Sequence, residues 1–158
     1  MPNFSIQIIQ FEKKWAKSIP NLITTTRHIA AMTLEKIYGH KKTGMIGIVF
    51  VNDKKIHQLN YQFRGINKPT NVLAFEAMQD GMDLVMEKKE LGEVILAYET
   101  TMREARAQNK SFEHHFSHLL VHGILHICGY DHMNDKDAKI MEKLEIKILK
   151  QMNIPNPY

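Results

Sequence analysis

Of the nine histidines in this 158-residue chain, three have the spacing that a single metal ion demands: those of HGILHICGYDH at positions 122 to 132. His122 and His126 stand at i and i+4. On a helix such residues share a face with Cβ atoms about 5 to 6 Å apart, so both rings reach one ion through bonds near ~2.0 Å. Gly129 lets the chain reverse, and a tight turn through Tyr130 and Asp131 brings His132 to the same point from outside the helix. Three neutral nitrogen ligands leave the fourth position of a tetrahedral zinc open to water, as in catalytic rather than closed structural sites. At such a site the pKa of water falls from about 16 toward about 7 and a carbonyl or phosphoryl oxygen is polarised, so hydrolysis is the natural chemistry. A lone histidine near an apolar helix is more often packed or solvated. The i,i+4 pair, the glycine break and the third histidine together favour the metal.

Other residues nearby narrow this reading. His114 and His118 continue the i+4 ladder. An i+4 trio on a straight helix spans about 12 Å, too far for its outer members to share an ion, so His132 rather than His118 completes the triad. His118 then reads as a group behind a ligand or on the substrate side, or equally as a solvated residue. Gly123 occupies the place where H-E-x-x-H peptidases carry their glutamate base, which argues against peptide hydrolysis. Asp131 is available to orient a ligand imidazole, and Cys128 reads as a small buried hydrophobe rather than a ligand.

The elements that must position these groups follow from periodicity and punctuation. Phe4 to Gln10 and the run MIGIVFV at Met45 to Val51 read as strands, the second as a central strand buried on both faces. Asn71 to Glu76 and Gly92 to Tyr98 supply two more. Helices are expected over Leu22 to Tyr38, ended by Gly39, and over Lys55 to Gln62, capped by Asn52 or Asp53 and stopping near Arg64 and Gly65. Glu99 to Asn109 makes a short helix. A long helix from the Ser111 cap to about Cys128 carries the histidines. A last helix, capped by Asn134 or Asp135, has an apolar stripe of Ile140, Leu144 and Ile148. The fold expected is α+β: a mixed four-stranded sheet flanked by about five helices, with the metal site on the long helix and the following turn. Residues 1–154 form a single zinc hydrolase domain and 155–158 a loose tail.

Bulk properties set the setting. A hydrophobic content of 44% and a charged content of 24% are ordinary for a globular domain able to bury its own core. A single cysteine excludes an internal disulfide. Apolar runs fall short of the ~20 residues needed to span a bilayer and no signal peptide is evident, so no membrane association and a cytoplasmic location are expected. A net charge of +4 permits a polyanionic partner without requiring one.

The segments FSHLLVHGILHICGYDH, FRGINKPTNVLAF at 63 to 75 and LGEVIL at 91 to 96 closely resemble the YbeY family of bacterial endoribonucleases. The resemblance extends over about two thirds of the chain, from MIGIVFV through the third histidine. It implies a zinc-bound, single-strand-specific endoribonuclease acting in maturation of small-subunit ribosomal RNA and in ribosome quality control. It places the ligands of one zinc per chain on His122, His126 and His132, and an arginine that contacts RNA or assists the chemistry on Arg64. The partners implied are single-stranded and ribosomal RNA, the small ribosomal subunit and assembly GTPases. Asn67, Asn71, Ala74 and Glu76 depart from the family's usual DKPTDVLSFP, and GEVIL replaces the commoner GDI. Two other functions compete: a zinc hydrolase acting on a peptide or small amide, and a non-catalytic ribosome-assembly module braced by zinc.

Overall fold

The computed structural model describes residues 3–77 and 90–158. In chain order the elements are β1 (Phe4–Gln10), α1 (Lys14–Ser18), α2 (Leu22–Tyr38), β2 (Gly44–Val51), α3 (Asp53–Arg64), β3 (Val72–Glu76), β4 (Glu90–Ala97), α4 (Tyr98–Ala107), α5 (Phe112–Ile127) and α6 (Asp135–Gln151). The strands form one mixed sheet in the order β1-β2-β4-β3. β1 and β4 run parallel to β2, and β3 runs antiparallel to β4. This is the expected α+β architecture with one helix more than was read. The extra helix, α1, has only five residues, too few for a periodic signal. It is pinned by Trp15, fully buried among Phe50, Tyr98, Phe112 and Phe116, with its indole Nε1 donating to the Val51 carbonyl at 3.0 Å.

β2 is central by pairing, but its two faces differ, which corrects the expectation of a strand buried on both faces. Ile46, Ile48 and Phe50 are wholly buried under α2 and α5, whereas Met45, Gly47 and Val49 are only half-buried. The second face is closed over a small cluster of Val51, Ile56, Leu73, Ile95 and Ala97, to which α3 contributes Ile56. At the β2–β4 margin Met45 pairs with Glu90 and Ile46 with Gly92, so Leu91 is an inserted residue, a β-bulge. Gly92 sits there at φ 148°, and a Cβ on it would lie 2.2 Å from the Phe75 carbonyl oxygen.

α5 is the hub. It packs on β3, β4, α2, α4 and α6, and its buried positions lie on every side except one narrow strip. At Gly123 it lies so close to the sheet that a Cβ would stand 2.7 Å from Val94 Cγ1 and 3.3 Å from Val72 Cγ2. A glutamate at 123 would therefore point into the strands, so this position could not carry a peptidase base.

Helix starts are tied by side chains. Asn52 caps α3 through Lys55 N–H, Ser111 caps α5 through His114 N–H, and Asn134 caps α6 through Asp137 N–H. Asp53 is free for a different task. Its carboxylate accepts from Thr100 N–H at 2.9 Å and Thr100 Oγ1 at 2.8 Å, while Glu99 Oε1 accepts from Asp53 N–H at 2.9 Å. The first turns of α3 and α4 thus satisfy each other's orphan amides.

On α6 the expected stripe is displaced. Ile140 is 49% exposed, and the buried residues are Met141, Glu145, Ile148 and Leu149. The helix is turned so that a carboxylate faces inward, which an apolar count alone places on the outer face.

Two stability measurements check this packing. Helix propensity alone would make Gly123→Ala gain about 1 kcal/mol. A net loss of up to roughly 2 kcal/mol in urea unfolding is expected, because overpacking against Val94 costs about 1–3 kcal/mol. Asp53→Ala is expected to cost about 1–2 kcal/mol, as losing a cap does.

Candidate metal centre and its cleft

The unburied strip of α5 carries His118, His122 and His126, each partly buried. The rings of His122 and His126 have centroids 4.7 Å apart and their Nε2 atoms are 3.2 Å apart. α5 ends in a Schellman turn: Gly129 N–H donates to His126 O at 3.0 Å and Tyr130 N–H to Leu125 O at 3.0 Å, with Gly129 at φ 97°. The reversal returns the ring of His132 to within 5.4 Å of His122 and 4.9 Å of His126, centre to centre. One donor atom from each of the three rings lies within 4.8 Å of the others. Tetrahedral zinc with bonds of 2.0–2.1 Å spaces its nitrogens about 3.3 Å apart. The 122–126 pair already has that spacing and the donor set fits the ion in number and kind. Burial, then the neighbouring His122, His132 and Arg64, lowers the His126 pKa, and the neutral ring it favours is the form that ligates.

Glu145 is the group that sequence reasoning missed. Its side chain is fully buried. Oε1 accepts from His122 Nδ1 at 2.8 Å, and Oε2 accepts from His118 Nε2 at 2.6 Å and from the Tyr158 hydroxyl at 2.7 Å. Burial opposes its ionisation, yet hydrogen bonds from His118, His122 and Tyr158 prevail and hold its pKa down to about 2. An acidic residue between Met141 and Leu149 in an i+4 series was the sequence signal for it. His118 accordingly stands behind a ligand, joined to it through Glu145, and is not a solvated residue. Asp131 does not orient an imidazole: its Oδ1 accepts from the backbone N–H of His132 at 2.7 Å and so shapes the turn. Cys128 is half-buried and outside the triad, and burial raises its thiol pKa, which makes it unreactive.

The triad opens into a cleft of about 810 Å³ that also holds Arg64, Glu104 and Tyr158. Arg64 is the last residue of α3, with Gly65 ending the helix at φ 69°, and its guanidinium carbon lies 6.0 Å from the centre of the Phe75 ring. The structure thus places all four residues read as functional around one cavity. Beyond them a second polar group closes the cleft. His115 Nε2 lies 2.9 Å from Glu104 Oε1, and Asn71 Nδ2 donates to both oxygens of Glu104 at 2.9 and 3.2 Å. At this position an amide donates to Glu104, whereas a second carboxylate would repel it. The last residues carry no helix or strand but are not loose. Lys110 Nζ donates to Pro157 O at 2.6 Å, and Tyr158 reaches Glu145.

Fold and site together define a class, an α+β domain whose cleft gathers three histidines able to hold a metal ion. Comparison with known proteins places it further. The family described as Endoribonuclease YbeY matches residues 8–153. A protein of that name from Rhodopseudomonas palustris (strain BisB18) is 47% identical over 114 residues, covering 72% of this chain and 68% of the relative. One from Bradyrhizobium diazoefficiens is 49% identical over 120 residues, 72% of this chain and 63% of the relative, less than two thirds of its length. One from Acinetobacter baumannii (strain ATCC 17978) is 40% identical over 151 residues, 94% and 90%. A solution structure of a Thermotoga maritima protein superposes with a TM-score of 0.55 at 27% identity, over 94% of this chain and 91% of that one. The chain belongs to the Endoribonuclease YbeY family. Among the described residues no helix is long and apolar enough to cross a membrane.

Glu104 yields a pH prediction. Burial raises its pKa, but the bonds from His115 and Asn71 outweigh this and leave it below the ordinary 4.5. A carboxyl depressed in the folded state contributes stability that is complete above its unfolded value and lost as pH falls through the lowered one. Glu104→Gln should therefore flatten the fall of urea stability below about pH 4.5 relative to wild type. Parallel curves would contradict the pairing.

Proposed function

We propose that this chain is a zinc-dependent, single-strand-specific endoribonuclease that acts in maturation of small-subunit ribosomal RNA and in ribosome quality control. The observation that carries the reading is the convergence of His122, His126 and His132 on one point of the cleft in a member of an endoribonuclease family. His122, His126 and His132 would hold a zinc ion, which when bound would activate water and polarise a phosphoryl oxygen. Arg64, charged at any cellular pH, presents a planar fork to phosphate oxygens and meets the charge that develops on them. Gly123, packed onto Val94, leaves no place for a peptidase glutamate, which disfavours the peptide or amide alternative. Association with the small ribosomal subunit and assembly GTPases, and a cytoplasmic setting, belong to the same proposal through the family resemblance.

Metal analysis and cleavage of single-stranded RNA by the purified protein test this together. Wild type should carry about one zinc per chain, as a three-ligand catalytic site does, and cut RNA in a chelator-sensitive way. His126→Ala should lose both zinc and cleavage. Arg64→Glu should keep its zinc and lose cleavage by roughly 10²-fold or more, the scale of removing one transition-state donor. Full activity in metal-free protein would refute the reading. Zinc binding without cleavage, with ribosome maturation rescued by a folded His126→Ala chain, would favour a binding module instead.

A further inference from the structure

Glu145 lies where α6 packs on α5, and each of its contacts runs toward the histidine strip or the residues after α6. An ionised carboxylate only accepts, so the three groups around it must all donate: Nδ1–H of His122, Nε2–H of His118 and the Tyr158 hydroxyl. A neutral imidazole carries one proton. If His122 carries it on Nδ1, the lone pair of its Nε2 is free, and Nε2 is the atom 3.2 Å from His126 Nε2. Tyr158 and His118 together occupy Oε2, so Oε1 is left to His122 alone. The phenol reaches this point because the chain after α6 returns across α5, held by Lys110 on Pro157, and its ring stands edge-on to His118 at 5.4 Å.

We propose that Glu145 is the positioning residue of the metal centre and Tyr158 its clamp, jointly fixing His122 as the Nδ1–H tautomer with Nε2 directed at the ion. The proposal rests on the zinc reading for its purpose, though the tautomer exists without metal. An apolar side chain at 145 would continue the stripe from Met141 to Leu149 without desolvating a charge. What the carboxylate adds is direction. His118, His122 and Glu145 also have donor atoms within 4.8 Å of one another, the spacing of a second ion site. Separations of 2.6 and 2.8 Å between nitrogen and oxygen are those of hydrogen bonds and leave no room for a cation between them.

The test uses the full chain, metal-free, with ¹⁵N-labelled histidine. Long-range proton–nitrogen correlation spectra report which ring nitrogen of each histidine is protonated. Wild type should show His122 protonated on Nδ1. Glu145→Met, an apolar replacement that fills the stripe, should remain folded by circular dichroism, lose the tautomer preference and bind zinc roughly 10–100-fold more weakly in chelator competition. Tyr158→Phe should weaken the tautomer preference and lose affinity by a smaller factor. A wild-type His122 protonated on Nε2, or unchanged zinc affinity in both variants, would overturn the proposal. Failure of the wild type to bind zinc would sink the zinc reading, and the tautomer spectra would still decide the role of Glu145.

Discussion

A helix packed on all sides but one leaves a single strip of side chains open to solvent, and α5 is such a helix. With β3 and β4 beneath it and α2, α4 and α6 around it, the strip left over is about one residue wide. Imidazoles suit that strip because their ring bodies pack while their nitrogens reach a polar partner. The close approach at Gly123 fixes how α5 sits on the sheet. That placement in turn sets where His122 and His126 point, so the packing of the core and the aim of the ligands are one constraint.

The same constraint brings a charge inside. The strip's inner edge is closed by α6, and the side chain it turns toward the histidines is Glu145. A buried carboxylate with three donors is no strong source of stability, since its desolvation offsets much of the attraction. Removing one partner is costly, about 3–5 kcal/mol where a buried ion is left uncompensated. The network is therefore better understood as specifying geometry than as holding the fold together. It also explains why the last residues are ordered: a phenol is needed where no helix supplies a donor.

How much of this was legible in the sequence depends on whether the cause was local. The bounds of β1 and α2 and the Ser111 cap rest on neighbouring residues and were read directly. The histidine triad was legible because helix rise forbids the 118–122–126 alternative and a glycine supplies the reversal. α1 was not, since a single tryptophan in a five-residue helix has no period. Ile140 was misplaced on the buried face for a tertiary reason: the rotation of α6 is set by donors on another helix and at position 158, 13 residues beyond Glu145. Pairs such as His115 with Glu104, or Asp53 with Thr100, are likewise contacts between elements, with no spacing rule to announce them.

Electrostatics connect these parts. Two carboxylates near the triad, Glu104 in the cleft and Glu145 buried behind it, are each spoken for: one by His115 and Asn71, the other by His118, His122 and Tyr158. Their charge is directed into hydrogen bonds on the protein side and not presented to a phosphate. Arg64 is the opposite case, exposed and lining the same cavity. Its positive charge also depresses the pKa of His126, after burial and the neighbouring histidines. The guanidinium proposed to meet a phosphate therefore also favours the neutral imidazole that the proposed metal requires. The arginine and the triad consequently act as parts of one electrostatic unit, although Arg64 and His122 lie on helices nearly sixty residues apart in sequence.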